Sequence, residues 1–167
     1  MNNALLKKSI SNIILSRSNS DINFFTTKKS FLDKNFSSFN DVFLEINRIS
    51  EQEYGIQSKE LSMLSKKNNK NNLIPFDNGI LLINSFFAQL KKNCLIFFRL
   101  EKPILFNNNK SIDIIFTLLT PKNFKTSQKL QILAKLTRIL QSPNIRKEIK
   151  GIKKPEDVLA LLLFTSP

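Results

Sequence analysis

Histidine is absent from all 167 residues. That absence removes the commonest general base, the commonest metal ligand and the side chain that most readily changes charge near neutral pH. Cysteine is nearly absent as well, with Cys94 alone. The usual zinc clusters are therefore excluded, as are serine–histidine and cysteine–histidine catalysis. One cysteine cannot form an internal disulfide, so nothing calls for an oxidising compartment. Cys94 opens an apolar run to Phe98 and reads as a small core residue. Three glycines are too few for a loop that cradles phosphate, and neither the P-loop pattern nor Gly-x-Gly-x-x-Gly occurs. Tryptophan is missing and tyrosine occurs once, so the fifteen phenylalanines must supply the large core side chains. No apolar stretch approaches the ~18 to 20 residues that cross a bilayer. The N-terminus lacks a signal-peptide core followed by small residues. Residues Leu5 to Arg17 form a short basic amphipathic segment, which leaves organelle targeting open, with a cytoplasmic protein as the default.

Acidic charge is the other shortage. Lys and Arg number 26 against 13 Asp and Glu, a net of +13. One reading is an electrostatic partner such as nucleic acid, an anionic membrane or an acidic protein. The other is composition: Lys, Asn, Ile and Phe are all abundant, as codons rich in A and T would make them. The cations are scattered, and no arginine-rich run or row of aromatics suggests base stacking. Nucleic-acid binding is thus the less favoured reading.

The length suits one domain, with 41% hydrophobic residues to build its core. Residues 1 to 20 read as a loosely ordered basic lead-in, and 21–167 as the domain. Asp21 to Phe25 suggests a short strand. From Thr27, as N-cap, a helix is expected, with Leu32, Phe36, Phe39, Phe43 and Ile46 as its apolar stripe and Gly55 at its end. Ser58 caps a second helix to about Leu64, and Lys66 to Asn72 is a polar loop. Ile80 to Ile83, Cys94 to Leu100 and Ile112 to Thr120 are continuous apolar runs, the pattern of strands covered on both faces. Pro103 and Asn107 to Asn109 separate the last two. Thr126 to Leu140 returns to helical period, with Leu130, Leu133, Ala134, Thr137 and Leu140 on one face. Ser142-Pro143 starts a short helix carrying Ile145 and Ile149, and Pro155-Glu156-Asp157 opens the last. Alternating strands and helices predict an α/β fold, a small mixed β-sheet flanked by helices on both faces.

Paired carboxylates are the remaining catalytic device. Asp113 lies inside a strand pattern and Glu101 stands beside Lys102 at a strand end, neither with an evident partner. Both read as solvated or locally paired acids.

Four segments in order carry a resemblance. They are Leu100-Glu101-Lys102-Pro103-Ile104-Leu105-Phe106, then Ile112 to Pro121, then Lys129 to Leu140, then Pro143 to Ile149 with Pro155-Glu156-Asp157. Residues 97 to 163 resemble the type-2 enzyme IIA domain of the bacterial phosphotransferase system, the nitrogen-related branch above all. Asn78 to Ser85 falls where that family has Asn-Gly-(Ile/Val)-Ala-Ile-Pro-His-(Gly/Ala). The resemblance implies the mannitol- and fructose-IIA-like fold and a phosphocarrier activity. It also implies that Asn84 occupies the phospho-acceptor histidine position, Ile83 the preceding proline, and Lys129 the second histidine. The family's Gly-Ser-Thr-Gly loop is replaced by the Asn/Lys stretch, and an arginine before it corresponds to Lys66, a possible anion contact.

An imidazole has an sp² lone pair that attacks phosphorus, whereas an asparagine amide nitrogen shares its lone pair with the carbonyl. The expectation is therefore a degenerate, regulatory relative acting by protein docking. Whether any enzyme activity survives stays open: Ser85 beside Asn84 is the alternative acceptor, although serine needs an activating base. No cofactor and no metal are expected. By family analogy the partner is an HPr-like phosphocarrier, an ion transporter or a sensor kinase, with no membrane span in this chain.

Overall fold

A computed structural model describes residues 27–61, 72–107 and 109–164. The lead-in 1–20, the strand expected over Asp21 to Phe25, and Lys66 with its loop lie outside these. Five strands form one sheet: β1 (Thr27–Lys34), β2 (Leu73–Pro75), β3 (Ile80–Phe87), β4 (Cys94–Phe106) and β5 (Lys110–Pro121). Among the described residues, five helices accompany them: α1 (Phe39–Tyr54), α2 (Ser58–Leu61), α3 (Thr126–Leu140), α4 (Ile145–Gly151) and α5 (Asp157–Phe164). The strand order is β1-β4-β5-β3-β2. β1 runs parallel to β4 and β3 parallel to β5, while β4–β5 and β2–β3 are antiparallel. This is the mixed sheet that the alternation of elements predicts.

The buried runs feed two cores, one on each face. On one, Val42, Ile46 and Ile49 of α1 pack on Leu81, Ile83 and Phe98. On the other, α3, α4 and α5 cover Leu82, Phe97 and Phe116. Successive residues of β3 and β4 alternate between the two clusters, the period-two geometry of a pleated strand. With both faces covered, continuous apolar runs replace the usual alternation with polar residues.

The first expected helix is corrected. Thr27 begins β1, not a helix, and α1 begins at Phe39. Phe31 packs with the α1-side cluster and Leu32 with the opposite one, so neighbouring side chains diverge across the sheet. The Leu32–Phe36–Phe39 spacing imitates a helical stripe only because a strand and a helix meet there. The true start is a capping box: Ser38 Oγ accepts from the Asp41 N–H, and the Asp41 carboxylate accepts from the Ser38 N–H at 2.9 Å. Gly55 closes α1 as expected, in the left-handed region with φ +65°. α2 covers Ser58 to Leu61 of the segment expected to reach Leu64, and the remainder lies outside the described residues.

Pro103 does not end its strand. β4 runs on to Phe106, with a register shift against β5 between Arg99 and Ile104. Beyond Leu100 no β1 residue pairs with β4, so proline's missing N–H removes no ladder bond on that side. The extent of α3 is as expected, but its buried face is not. Ile132, Leu136, Ile139 and Leu140 are buried, whereas Leu130 is 60% exposed. Two apolar stripes share this helix and meet at Leu140, and the one carrying Ile132, Leu136 and Ile139 is the one the sheet covers. Ser142-Pro143 forms a turn before α4, which starts two residues later at Ile145.

The seven-residue α4 is held by charge. Asp113 is buried on β5 and is not a solvated acid: Arg146 forks onto its carboxylate at 2.6 and 2.8 Å, and Lys150 reaches it at 2.5 Å. Arg146 also donates to the Asn78 carbonyl at 2.8 Å. Gly79 is required beside it, with φ +78° and a position where a Cβ would lie 2.5 Å from Arg146 Nη1. From β4, buried Arg99 forks onto Asp33 of β1 at 3.0 and 3.1 Å and donates to the carbonyls of Ile149, Lys150 and Ile152. Ile149 and Lys150 lie in the last turn of α4 and Ile152 is its C-cap, so Arg99 caps the end where helix carbonyls lack i+4 donors.

Burial pushes the Asp113 carboxyl up, but the hydrogen bonds and charges of Arg146 and Lys150 outweigh it and hold the group below the usual carboxylate range. A carboxyl more acidic folded than unfolded adds stability above its unfolded value of about 3.9 and loses it as pH falls through the folded value. Thermal melts from neutral pH down into acid should show the wild type losing stability below about pH 4 and Asp113→Asn losing less. At neutral pH the same variant should be less stable by about 2 kcal/mol, because Arg146 and Lys150 keep some access to water once unpaired. Parallel acid limbs for the two proteins would refute the assignment. Arg99→Lys, which cannot fork, should cost about 2 kcal/mol and lower Tm by about 5 °C; an unchanged Tm would show that the fork is dispensable.

Candidate functional site

Asn84 lies five positions into β3, paired in parallel with Leu118 of β5. The alternation Leu82, Asn84, Phe86 puts it on the sheet face covered by α3 to α5. It is 6% exposed, and its Oδ1 has no hydrogen-bond partner among the described residues. A buried acceptor that stays unmet costs about 1–3 kcal/mol.

Lys129 stands in the first turns of α3. Its ammonium donates to the Lys122 carbonyl at 2.6 Å and sits 5.0 Å from the centroid of the Phe86 ring. Phe86 is two residues beyond Asn84 on the same strand, so both positions belong to one face and one end of the sheet. No hydrogen bond joins Lys129 to Asn84, because Lys122 and Phe86 engage the ammonium instead. Lys66, the third expected contact, lies outside the described residues.

Ser85 alternates with Asn84 and so belongs to the opposite face, between Ile83 and Phe87 of the α1-side core. It therefore cannot stand in for Asn84 on the same face. A serine nucleophile also needs a positioned base, and the chain has no histidine. Chemically, the Asn84 end can hydrogen-bond and attract anions. It lacks the imidazole lone pair that forms a phosphorus–nitrogen bond.

Sequence reasoning missed Phe86 and Lys122. Phe86 was legible as an apolar side chain in register with Asn84, and Lys122 follows the proline that ends β5. A separate groove of about 480 Å³ opens at the β1 edge, between Lys29, Phe31, Gln52, Pro155 and Leu159. It contains none of the expected site residues.

Comparison with known proteins gives a consistent result. The family described as phosphoenolpyruvate-dependent sugar phosphotransferase system, EIIA 2, matches residues 23–164. Among solved structures, the nitrogen regulatory protein IIA-Ntr from Neisseria meningitidis is similar at 25% identity and a TM-score of 0.69, over 78% of this chain and 90% of that one. IIA mannitol from Escherichia coli superposes with a TM-score of 0.60 at 12% identity, over 79% and 94%. The complex of enzyme IIA mannitol with phosphorylated enzyme IIB mannitol from the same organism contains a similar chain, with a TM-score of 0.61 at 12% identity over 80% and 93%. At 12% the likeness is one of fold. No curated protein matches by sequence.

The unmet Oδ1 yields a stability test. Asn84→Leu, close in size and free of the stranded acceptor, should raise stability by about 1 kcal/mol in chemical denaturation. A loss of 1 kcal/mol or more would mean that the amide is satisfied in solution.

Proposed function

The chain belongs to the EIIA 2 family of the phosphoenolpyruvate-dependent sugar phosphotransferase system, and we propose that within it this protein is a regulatory docking component that does not carry phosphate on histidine. The observation that carries this reading is the composition: 167 residues without an imidazole. An amide at the position of the expected acceptor supports it further. Phosphoryl transfer to a histidine needs a nitrogen lone pair aimed at phosphorus, with the leaving oxygen opposite; Asn84 offers an amide whose nitrogen lone pair is delocalised.

Docking does not need that step. The fold binds protein in the mannitol IIA complex with phosphorylated IIB, so a partner surface is compatible with this architecture. Phosphorylation would add a charge of about −1.5 to −2 to such a face. A chain that cannot accept the group keeps one electrostatic state, and its contacts do not switch with the phosphorylation state of the pathway. The expected partner is a regulatory target protein of the kind the family resemblance implies: a phosphocarrier, an ion transporter or a sensor kinase.

Transfer through Ser85 has less support, since that residue belongs to the other face of the sheet from Asn84 and Lys129. The test is direct. The purified chain is incubated with a phosphorylated histidine-carrier protein and a radiolabelled phosphoryl donor, then denatured and counted. The expected result is no stable label above background. Stoichiometric label on the chain would overturn the proposal, and its alkali or acid lability would identify the acceptor.

A further inference from the structure

Among the described residues, the sheet end that carries Asn84 is also basic without acidic neighbours in its own segments. β3 and β5 finish there, β4 and α3 begin there, and the Lys122 N–H donates to the Phe87 carbonyl at 2.9 Å. The two segments that build this corner, 84–95 and 117–130, include Lys91, Lys92, Lys122, Lys125 and Lys129 and contain no acidic residue. None of these five lysines forms an ion pair among the described residues. Elsewhere the pattern differs. Lys29, Lys34, Lys110 and Lys150 each sit on a carboxylate, and the lysines from 147 to 154 are interleaved with Glu148 and followed by Glu156 and Asp157.

Two large apolar side chains lie open in the same corner. Phe86 is 39% exposed beneath the Lys129 ammonium, and Leu130, the next residue on α3, is 60% exposed. Apolar anchors rimmed by unpaired cations are the anatomy of a protein-binding patch. Nucleic acid would call for a row of stacking aromatics or arginine forks, and in these segments only Phe86 is an exposed aromatic, with Phe124 half-buried against the core and no arginine.

We propose that the Phe86–Leu130 corner, with its five unpaired lysines, docks an acidic segment of a partner protein that carries apolar side chains. Partner carboxylates meet the lysines, and partner apolar groups cover Phe86 and Leu130. The proposal rests on the docking reading above and specifies the chemistry of the partner. A basic partner surface is disfavoured at this face, because like charges would be brought together as it closes.

The test uses the full chain and three fluorescent probes followed by anisotropy. One is a Glu/Asp-rich peptide carrying Leu and Phe, the second a poly-Glu peptide of equal length and charge, the third a generic DNA duplex. The apolar-bearing acidic peptide should bind about tenfold more tightly than either of the others. Lys122→Glu combined with Lys125→Glu should weaken it about tenfold or more, while Lys147→Glu combined with Lys153→Glu leaves it unchanged within about twofold. Phe86→Ser, or Leu130→Ser at the more exposed site, should bring it down to the poly-Glu level. Circular dichroism melts accompany each variant, so a fold defect in one is read against the other. Equal or tighter binding of the duplex, indifference to the Lys122/Lys125 reversal, or no peptide binding at all would each overturn the proposal. The phosphoryl-labelling result is independent: label on the chain sinks the non-carrier reading and leaves this corner standing, whereas indifference to charge reversal sinks this proposal alone.

Discussion

Two aspartate–arginine forks, one rooted in β5 and one bridging β1 to β4, fix a helix that could not hold itself. Seven residues are far below the length at which an isolated helix persists in water. α4 stays because its Arg146 and Lys150 reach down to a carboxylate in the sheet while Arg99 reaches up to its final carbonyls. The same contacts order the Asn78–Gly79 turn that launches β3. Strand β3 in turn sets where Asn84 and Phe86 fall. The polar network at one end of the sheet therefore determines the register of the surface at the other.

The two ends of β3 accordingly play different parts. At its start, charge is paired, forked and partly desolvated, which suits a fixed joint. At its finish, the lysines are one-signed and meet no carboxylate among the described residues, an arrangement that favours an external counterpart. Asn84 sits between the two. Among the described residues its Oδ1 makes no bond that would explain an amide there on stability grounds. On the function proposed above, the amide stands where the family resemblance implies an acceptor, and that reading gives the other account of it.

Much of the architecture was legible from residue patterns. α3 shows from Thr126 to Leu140 because its apolar spacing is sustained over four turns and a proline lies before it. The interior strands show because burial on both faces leaves unbroken Ile, Leu and Phe runs. β1 was illegible for the opposite reason. It is an edge strand, its Phe31 and Leu32 serve different cores, and the adjoining Phe36 and Phe39 complete a false helical rhythm. The face of α3 was ambiguous because two apolar stripes share fifteen residues, and only packing chooses between them. Asp113 and Arg146 stand 33 positions apart, beyond any local pattern, so their pairing is a product of topology. Asn84 and Lys129 are candidates through family spacing alone, since nothing in an asparagine or a lysine by itself announces a site.

The open rims of the sheet have a bearing on how the protein behaves in a crowded solution. A bare strand edge offers its backbone to any other extended chain, which is how fibrils and insoluble stacks are seeded. β2 limits that hazard by brevity, with three residues ending in Pro75. β1 is eight residues long and cannot rely on shortness, but it carries Lys28, Lys29 and Lys34 along its length. Lys29 and Lys34 are ion-paired to Glu53 and Glu45, so an extended chain laid along this edge meets hydrated charges of both signs in place of a flat apolar strand, which hinders separate molecules from zipping into one continuous sheet.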